Sequence, residues 1–209
     1  MSQIALPFDW PAPETVDSFI VTAANRDAVK WLEHPSTWPV RATLLTGPRK
    51  SGRSLLGRII ASKIDATLID DAETQREADI FHRWNLAQEE RKPLVIIALY
   101  PPPQWKIGLP DLASRLKATP HVGIGDPDDE LVGLLLEKLL GNRGLALKPD
   151  VRAYVMARIE RSYLGVLRFV DALDNAALSM KRGISVPLAR DVLRAIGMEE
   201  EQLPLLGPD

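Results

Sequence analysis

Gly47-Pro-Arg-Lys-Ser-Gly-Arg-Ser54 lies between a strand-like run, Arg41-Ala-Thr-Leu-Leu-Thr46, and an apolar face of helical spacing made by Leu55, Leu56, Ile59 and Ile60. Its spacing is that of a P-loop, G-x-x-x-x-G-K-[ST], with Arg53 in place of the lysine. In such a loop, backbone N–H groups at a helix start surround a phosphate, a cation neutralises it, and the hydroxyl, here Ser54, binds magnesium. Arginine keeps the charge in a bulkier, planar group, so binding can outlive hydrolysis. Residues 41–62 carry Arg41, Arg49, Lys50, Arg53 and Arg58 and no acid, which suits an anion. A glycine turn joining strand to helix is the alternative for the loop taken alone.

Downstream, Leu68-Ile-Asp-Asp71 closes a second apolar strand with the form of a Walker B segment. Asp70 would hold magnesium and Asp71 would position water, although paired acids at a strand end are also common in turns. Residues 78–90 read as a helix, and Leu94-Val-Ile-Ile-Ala-Leu99 as a central strand, apolar on both faces. Strands alternating with helices predict a parallel sheet. A short helix opened by Pro110 runs over 109–116, and residues 121–125 form a last strand. Helices over 128–140, 149–160, 163–180 and 187–196 complete an α/β sheet followed by a small all-helical unit.

Upstream, Pro7, Pro11 and Pro13 surround Phe8 and Trp10, which predicts an extended arm over residues 1–14. Asp17-Ser-Phe-Ile-Val is a short extended piece, and Asn25 occupies the N-cap position of a helix over 26–33 that Pro35 and Pro39 end. The 209 residues hold 26 Lys plus Arg against 28 Asp plus Glu, a net charge of −2 that suggests no large nucleic-acid face. Without cysteine there is no disulfide, thiolate metal site or cysteine nucleophile. The longest apolar run, 94–100, falls far short of the roughly twenty residues a membrane span needs. A soluble cytoplasmic protein is the expectation. Histidines 34, 82 and 121 are too scattered to suggest a metal centre, and Trp31, Trp38 and Trp84 read as core or boundary aromatics.

Gly108-Leu-Pro-Asp-Leu-Ala-Ser-Arg-Leu116 resembles the box VII segment of DnaA-type AAA+ proteins, and is especially similar to that of the Hda/HdaA family of DnaA-homologous regulators. Asp17-Ser-Phe-Ile-Val with Asn25, residues 47–54, Leu68-Ile-Asp-Asp71 and Pro101-Pro102 extend the resemblance over almost the whole chain. It implies a reduced AAA+ domain over 15–124, a helical lid over 125–198 and an acidic tail over 199–209. The connection between the loop helix and Asp70 is shorter than in typical relatives, so the sheet is expected to lack an edge strand. Leu99 and Leu164 align where polar sensor residues are expected. A DnaA-type DNA-binding domain needs on the order of a hundred further residues and is not expected.

By the same resemblance, Arg115 is an arginine finger acting in trans on the nucleotide of an adjacent DnaA; a pair with Asp111 at i, i+4 is the alternative. ADP or ATP would be held by Gly47, Gly52, Arg53, Ser54, Asp70 and Asp71, with magnesium on Ser54 and Asp70. Gln3-Ile-Ala-Leu-Pro-Phe8 resembles the peptide with which Hda binds the DNA polymerase III β sliding clamp: Gln3 anchors, and Ile4, Leu6, Pro7 and Phe8 form the apolar part. A tail folded back through Leu6, Phe8 and Trp10 is the alternative. Gln202-Leu-Pro-Leu-Leu206 has a similar five-residue form. The implied function is inactivation of DnaA by stimulated ATP hydrolysis on the DNA-loaded clamp. DNA would be met only through the clamp and the protein would be nucleoid-associated through it. No membrane partner is expected, and self-association is left open. A stand-alone degenerate P-loop ATPase and a non-hydrolytic recruitment adaptor are the competing expectations.

Overall fold

The computed structural model describes residues 19–180 and 183–198. Four parallel strands, β1 (Ala42–Thr46), β2 (Thr67–Ile69), β3 (Leu94–Ala98) and β4 (His121–Gly123), pair in the order β2-β3-β1-β4. Every residue of β1 and β3 is buried, as central strands covered on both faces require. Thr43 pairs with Val95 and Leu45 with Ile97. The short strand β2 follows the loop helix directly and lies at one edge of the sheet, β4 at the other.

Side chains of a strand alternate between faces, and this alternation divides the core. Leu44, Leu94 and Ile96 pack under α3 (Glu77–Glu89) and α4 (Pro110–Ala118), with Ile80, Trp84, Leu112 and Leu116. Leu45, Val95 and Ile97 face the other way, against α1 (Arg26–Leu32) and α2 (Arg53–Lys63), with Leu32, Leu56 and Ile60. Helix α2 approaches the sheet closely at Gly57, where an added Cβ would stand 2.3 Å from Ile97 Cδ1. Asn25 takes the N-cap position, yet its side chain turns back: Nδ2 donates to Ile20 O at 2.8 Å, and Oδ1 accepts the Thr22 N–H at 3.0 Å.

Helices α5 (Asp129–Gly141), α6 (Pro149–Met156), α7 (Tyr163–Met180) and α8 (Val186–Ala195) enclose a core of their own around Leu136, Val155, Phe169 and Leu193. Leu131 and Tyr163 reach instead into the core beneath α2. The join is hydrogen-bonded. Asp128 caps α5 by accepting the Leu131 N–H at 2.7 Å and also accepts the Ala24 N–H at 3.2 Å. Burial alone would push the Asp128 carboxyl up; these bonds, one from Thr22 and the Arg26 charge outweigh it and hold the group below its ordinary value. Helix α6 stops at Met156, short of the predicted 160, because the chain turns there: Arg161 Nη1 donates to Ile159 O, and Ser162 Oγ accepts the Gly165 N–H to start α7.

Among the described residues no helix is long and apolar enough to cross a membrane, and no cluster of three or more His, Asp or Glu could hold a metal by itself.

Candidate functional site

The loop of residues 47–54 leaves the C-terminal end of β1 and turns into α2 through two left-handed residues, Lys50 at φ 66° and Gly52 at φ 83°. Glycine is suited to the second position twice over. It adopts positive φ without steric cost, and a Cβ there would meet the Phe19 ring at 3.1 Å. Arg53 crosses the loop rather than leaving it: Nη1 donates to Gly47 O at 2.7 Å, Nη2 stands 3.5 Å from Asp71 Oδ1, and its side chain is only 13% exposed. Ser54 Oγ donates to Asp70 Oδ1 at 2.9 Å, and the Asp71 N–H donates to the same oxygen at 3.0 Å. Arg58 Nη1 lies 3.6 Å from the other oxygen, Oδ2. The six residues that the sequence nominates for a nucleotide thus lie together: Arg53 joins Gly47 to Asp71, Ser54 joins Asp70, and Gly52 makes the turn between them.

Two buried polar atoms of this loop have no protein partner: Ser51 Oγ and Arg53 Nε. An unpaired buried donor is costly, and a phosphate oxygen is the kind of acceptor that would satisfy it. Beside the loop lies a cavity of about 150 Å³, bordered by Phe19, Ile20, Lys50, Leu131, Leu135 and Tyr163. Apolar walls of that size suit one aromatic ring, and Lys50, Ser51 and Gly52 of the loop share the lining. Tyr163 in the lining donates from its hydroxyl to Gly125 O at 3.1 Å; burial, then the Asp126 and Asp128 charges, push its phenol up to about 12. These residues fit a nucleotide. For magnesium the protein offers Ser54 and Asp70, the small donor set of an ion that takes its remaining ligands from phosphate and water.

Arg115 stands elsewhere. Helix α4 covers the face of the sheet opposite α2, and Arg115 is exposed on it. Among the described residues it makes no ion pair with Asp111; its guanidinium lies over the Trp84 ring, 4.8 Å from the centroid. Its carbonyl accepts the Thr119 hydroxyl at 2.8 Å, and that same hydroxyl oxygen accepts Trp84 Nε1–H at 2.9 Å. An exposed cation on a helix braced from below is available to a second molecule and remote from the chain's own loop. At the expected sensor positions, the Leu99 N–H donates to Glu73 at 2.9 Å and the Leu164 side chain is exposed.

Sequence reasoning missed Ser51, whose hydroxyl is buried inside a position the motif leaves free, and the cavity wall from α5 and α7. The first carries a local signal, a small hydroxylic residue before the second glycine. The second carries none, because Leu131, Leu135 and Tyr163 meet the loop only after folding. Gln3, Ile4, Leu6, Pro7 and Phe8, and the segment Gln202-Leu-Pro-Leu-Leu206, lie outside the described residues.

Residues 129–193 match the family model described as Hda, lid domain. Domain III of the Thermotoga maritima replication initiation protein DnaA superposes with a TM-score of 0.71 at 16% identity, over 87% of this chain and 96% of that one. A replication initiator DnaA bound to AMPPCP and single-stranded DNA gives 0.63 at 16% identity, over 83% of this chain and 70% of the other. The Thermotoga maritima RuvB Holliday junction branch migration motor gives 0.62 at 13% identity, over 90% and 73%. With an Hda lid at residues 129–193 on a DnaA-type AAA+ fold, the chain is an Hda-like AAA+ protein.

Proposed function

We propose that this protein regulates the replication initiator DnaA by accelerating hydrolysis of the ATP that DnaA carries, while both are held at a DNA-loaded sliding clamp. One observation carries the reading: Arg115, in a box VII-like segment, is an exposed guanidinium on the face of the sheet away from the chain's own loop. Entering the nucleotide site of a neighbouring DnaA, it would meet negative charge developing on the γ-phosphate. A finger supplied in trans is worth roughly 10³ to 10⁵ in rate. The Hda lid match supports DnaA as the partner.

The loop of residues 47–54 would hold ADP or ATP as a structural ligand. Ser51 and Arg53 would face phosphate, the Phe19 and Tyr163 cavity would take the base, and Ser54 and Asp70 would share magnesium when it accompanies the nucleotide. Magnesium would supply charge to the phosphate oxygens. The arm with Gln3, Leu6 and Phe8 would dock in a preformed clamp pocket, its prolines lowering the ordering cost.

The test is hydrolysis of ATP preloaded on DnaA, with clamp and DNA present, as this protein is titrated in. Wild type accelerates release of phosphate and Arg115→Ala leaves DnaA at its basal rate. Equal acceleration by both would remove the finger.

A further inference from the structure

Helix α4 opens with Pro110, which has no N–H, and the two amides just before it, those of Gly108 and Leu109, lie outside the hydrogen bonds of the helix itself. Both are taken by one carboxylate from another helix. Glu77 Oε1 accepts the Gly108 N–H at 2.9 Å and Oε2 accepts the Leu109 N–H at 2.6 Å. Gly108 leaves room for this approach: the atoms nearest its Cβ position are the two Glu77 oxygens, at 3.7 and 3.9 Å. Bonds from backbone N–H to an ionised acceptor are the stronger kind, and a negative charge at a helix N-terminus is favoured by the helix dipole.

Glu77 is the first residue of α3, and the same helix supplies Trp84, which braces Arg115 in the second half of α4 and Thr119 at its C-cap. Helix α3 therefore holds α4 at both ends. Glu73 fixes the start of the connection from β3 by accepting the Leu99 N–H at 2.9 Å. The segment that aims Arg115 is thus tied down by two carboxylates.

We infer that Glu77 is a positioning residue for Arg115: it sets the entry of α4 and hence the place at which the guanidinium reaches a neighbouring molecule. The inference rests on the finger reading above. Displacement of a reacting group by about 1 Å can cost roughly 10²-fold in rate without weakening binding. Loss of Glu77 thus affects turnover rather than association.

Full-length Glu77→Ala, Glu77→Gln and Arg115→Ala are titrated into ATP-loaded DnaA with clamp-loaded DNA, reading the maximal rate and the half-saturating concentration separately. Hydrogen exchange at the Gly108 and Leu109 amides is followed on the same proteins. Glu77→Ala lowers the maximal rate by about tenfold to 10²-fold at unchanged half-saturation, and both amides exchange faster. Glu77→Gln, whose amide oxygen accepts one of the two N–H groups, falls between and decides the matter if Glu77→Ala does not fold. A wild-type maximal rate in the folded Glu77 variants beside an inactive Arg115→Ala overturns the positioning role and leaves the finger standing. So does a change confined to half-saturation. Wild-type stimulation by Arg115→Ala overturns the finger reading, and this inference with it.

Discussion

The Arg115 guanidinium and the Trp84 indole are stacked, 4.8 Å from charge centre to ring centroid, and the Thr119 hydroxyl links the two residues by accepting the indole N–H and donating to the Arg115 backbone carbonyl. The ring itself is buried in the core beneath the sheet while the cation above it is exposed. A cation–π contact at an exposed site is worth about 0.5–1 kcal/mol, enough to bias the side chain and too little to trap it. Arg115 can leave the neutral ring for an anion.

Trp84 consequently serves the core far more than the cation. Trp84→Ala is expected to cost about 3–5 kcal/mol in urea unfolding, the range for deleting a large buried aromatic. Trp84→Phe keeps an apolar face beneath Arg115 and gives up the bond to Thr119, about 1 kcal/mol. A Trp84→Ala loss below about 1 kcal/mol would mean that the indole is not the packed centre seen between α3 and α4.

The loop is expected to bind adenine nucleotide by its backbone conformation. ADP at about a hundred times its Kd stabilises the folded chain by about 2.7 kcal/mol, read as an upward shift in Tm. Gly52→Ala sets a side chain at φ 83° against the Phe19 ring and removes that shift. An undiminished ADP shift in a folded Gly52→Ala protein would place the nucleotide elsewhere.

His121 gives the fold a pH dependence of definite sign. Its Nε2 is 2.7 Å from Thr46 Oγ1, beside a cavity of about 480 Å³ bordered by Pro102, Leu116 and Lys117, and partial desolvation of the ring, in a residue whose surface is otherwise exposed, holds its pKa below 6.5. The unfolded chain therefore binds this proton more readily than the folded one. Its contribution is intact above about pH 6.5 and declines as pH falls toward the folded pKa. Chemical denaturation of wild type and His121→Asn across this range shows a steeper acid-side loss in wild type. Parallel profiles would mean that His121 titrates alike in both states.

Much of the architecture was legible because its determinants are local. Leu44, Leu45, Ile96 and Ile97 announce central strands by being apolar on both faces, and Leu55, Leu56, Ile59 and Ile60 announce a helix by their spacing. The glycine loop and Asp70 could be paired in advance because each follows the C-terminal end of a strand in one parallel sheet. Arg115 was nominated by resemblance, but nothing near it in sequence indicated that it would stack on Trp84 rather than pair with Asp111.

By itself the sequence determined the order of strands and helices, the conformation demanded at Gly52 and the cation that replaces a lysine at Arg53. These follow from periodicity and backbone sterics, which act over a few residues. Only the tertiary structure decided that Arg53 closes across its own loop to Gly47, that Tyr163 completes the cavity from the lid, and that Glu77 grips the start of α4. Hydrogen bonds and packing between distant segments are set by which surfaces meet after the chain has collapsed, and one-dimensional spacing does not encode that.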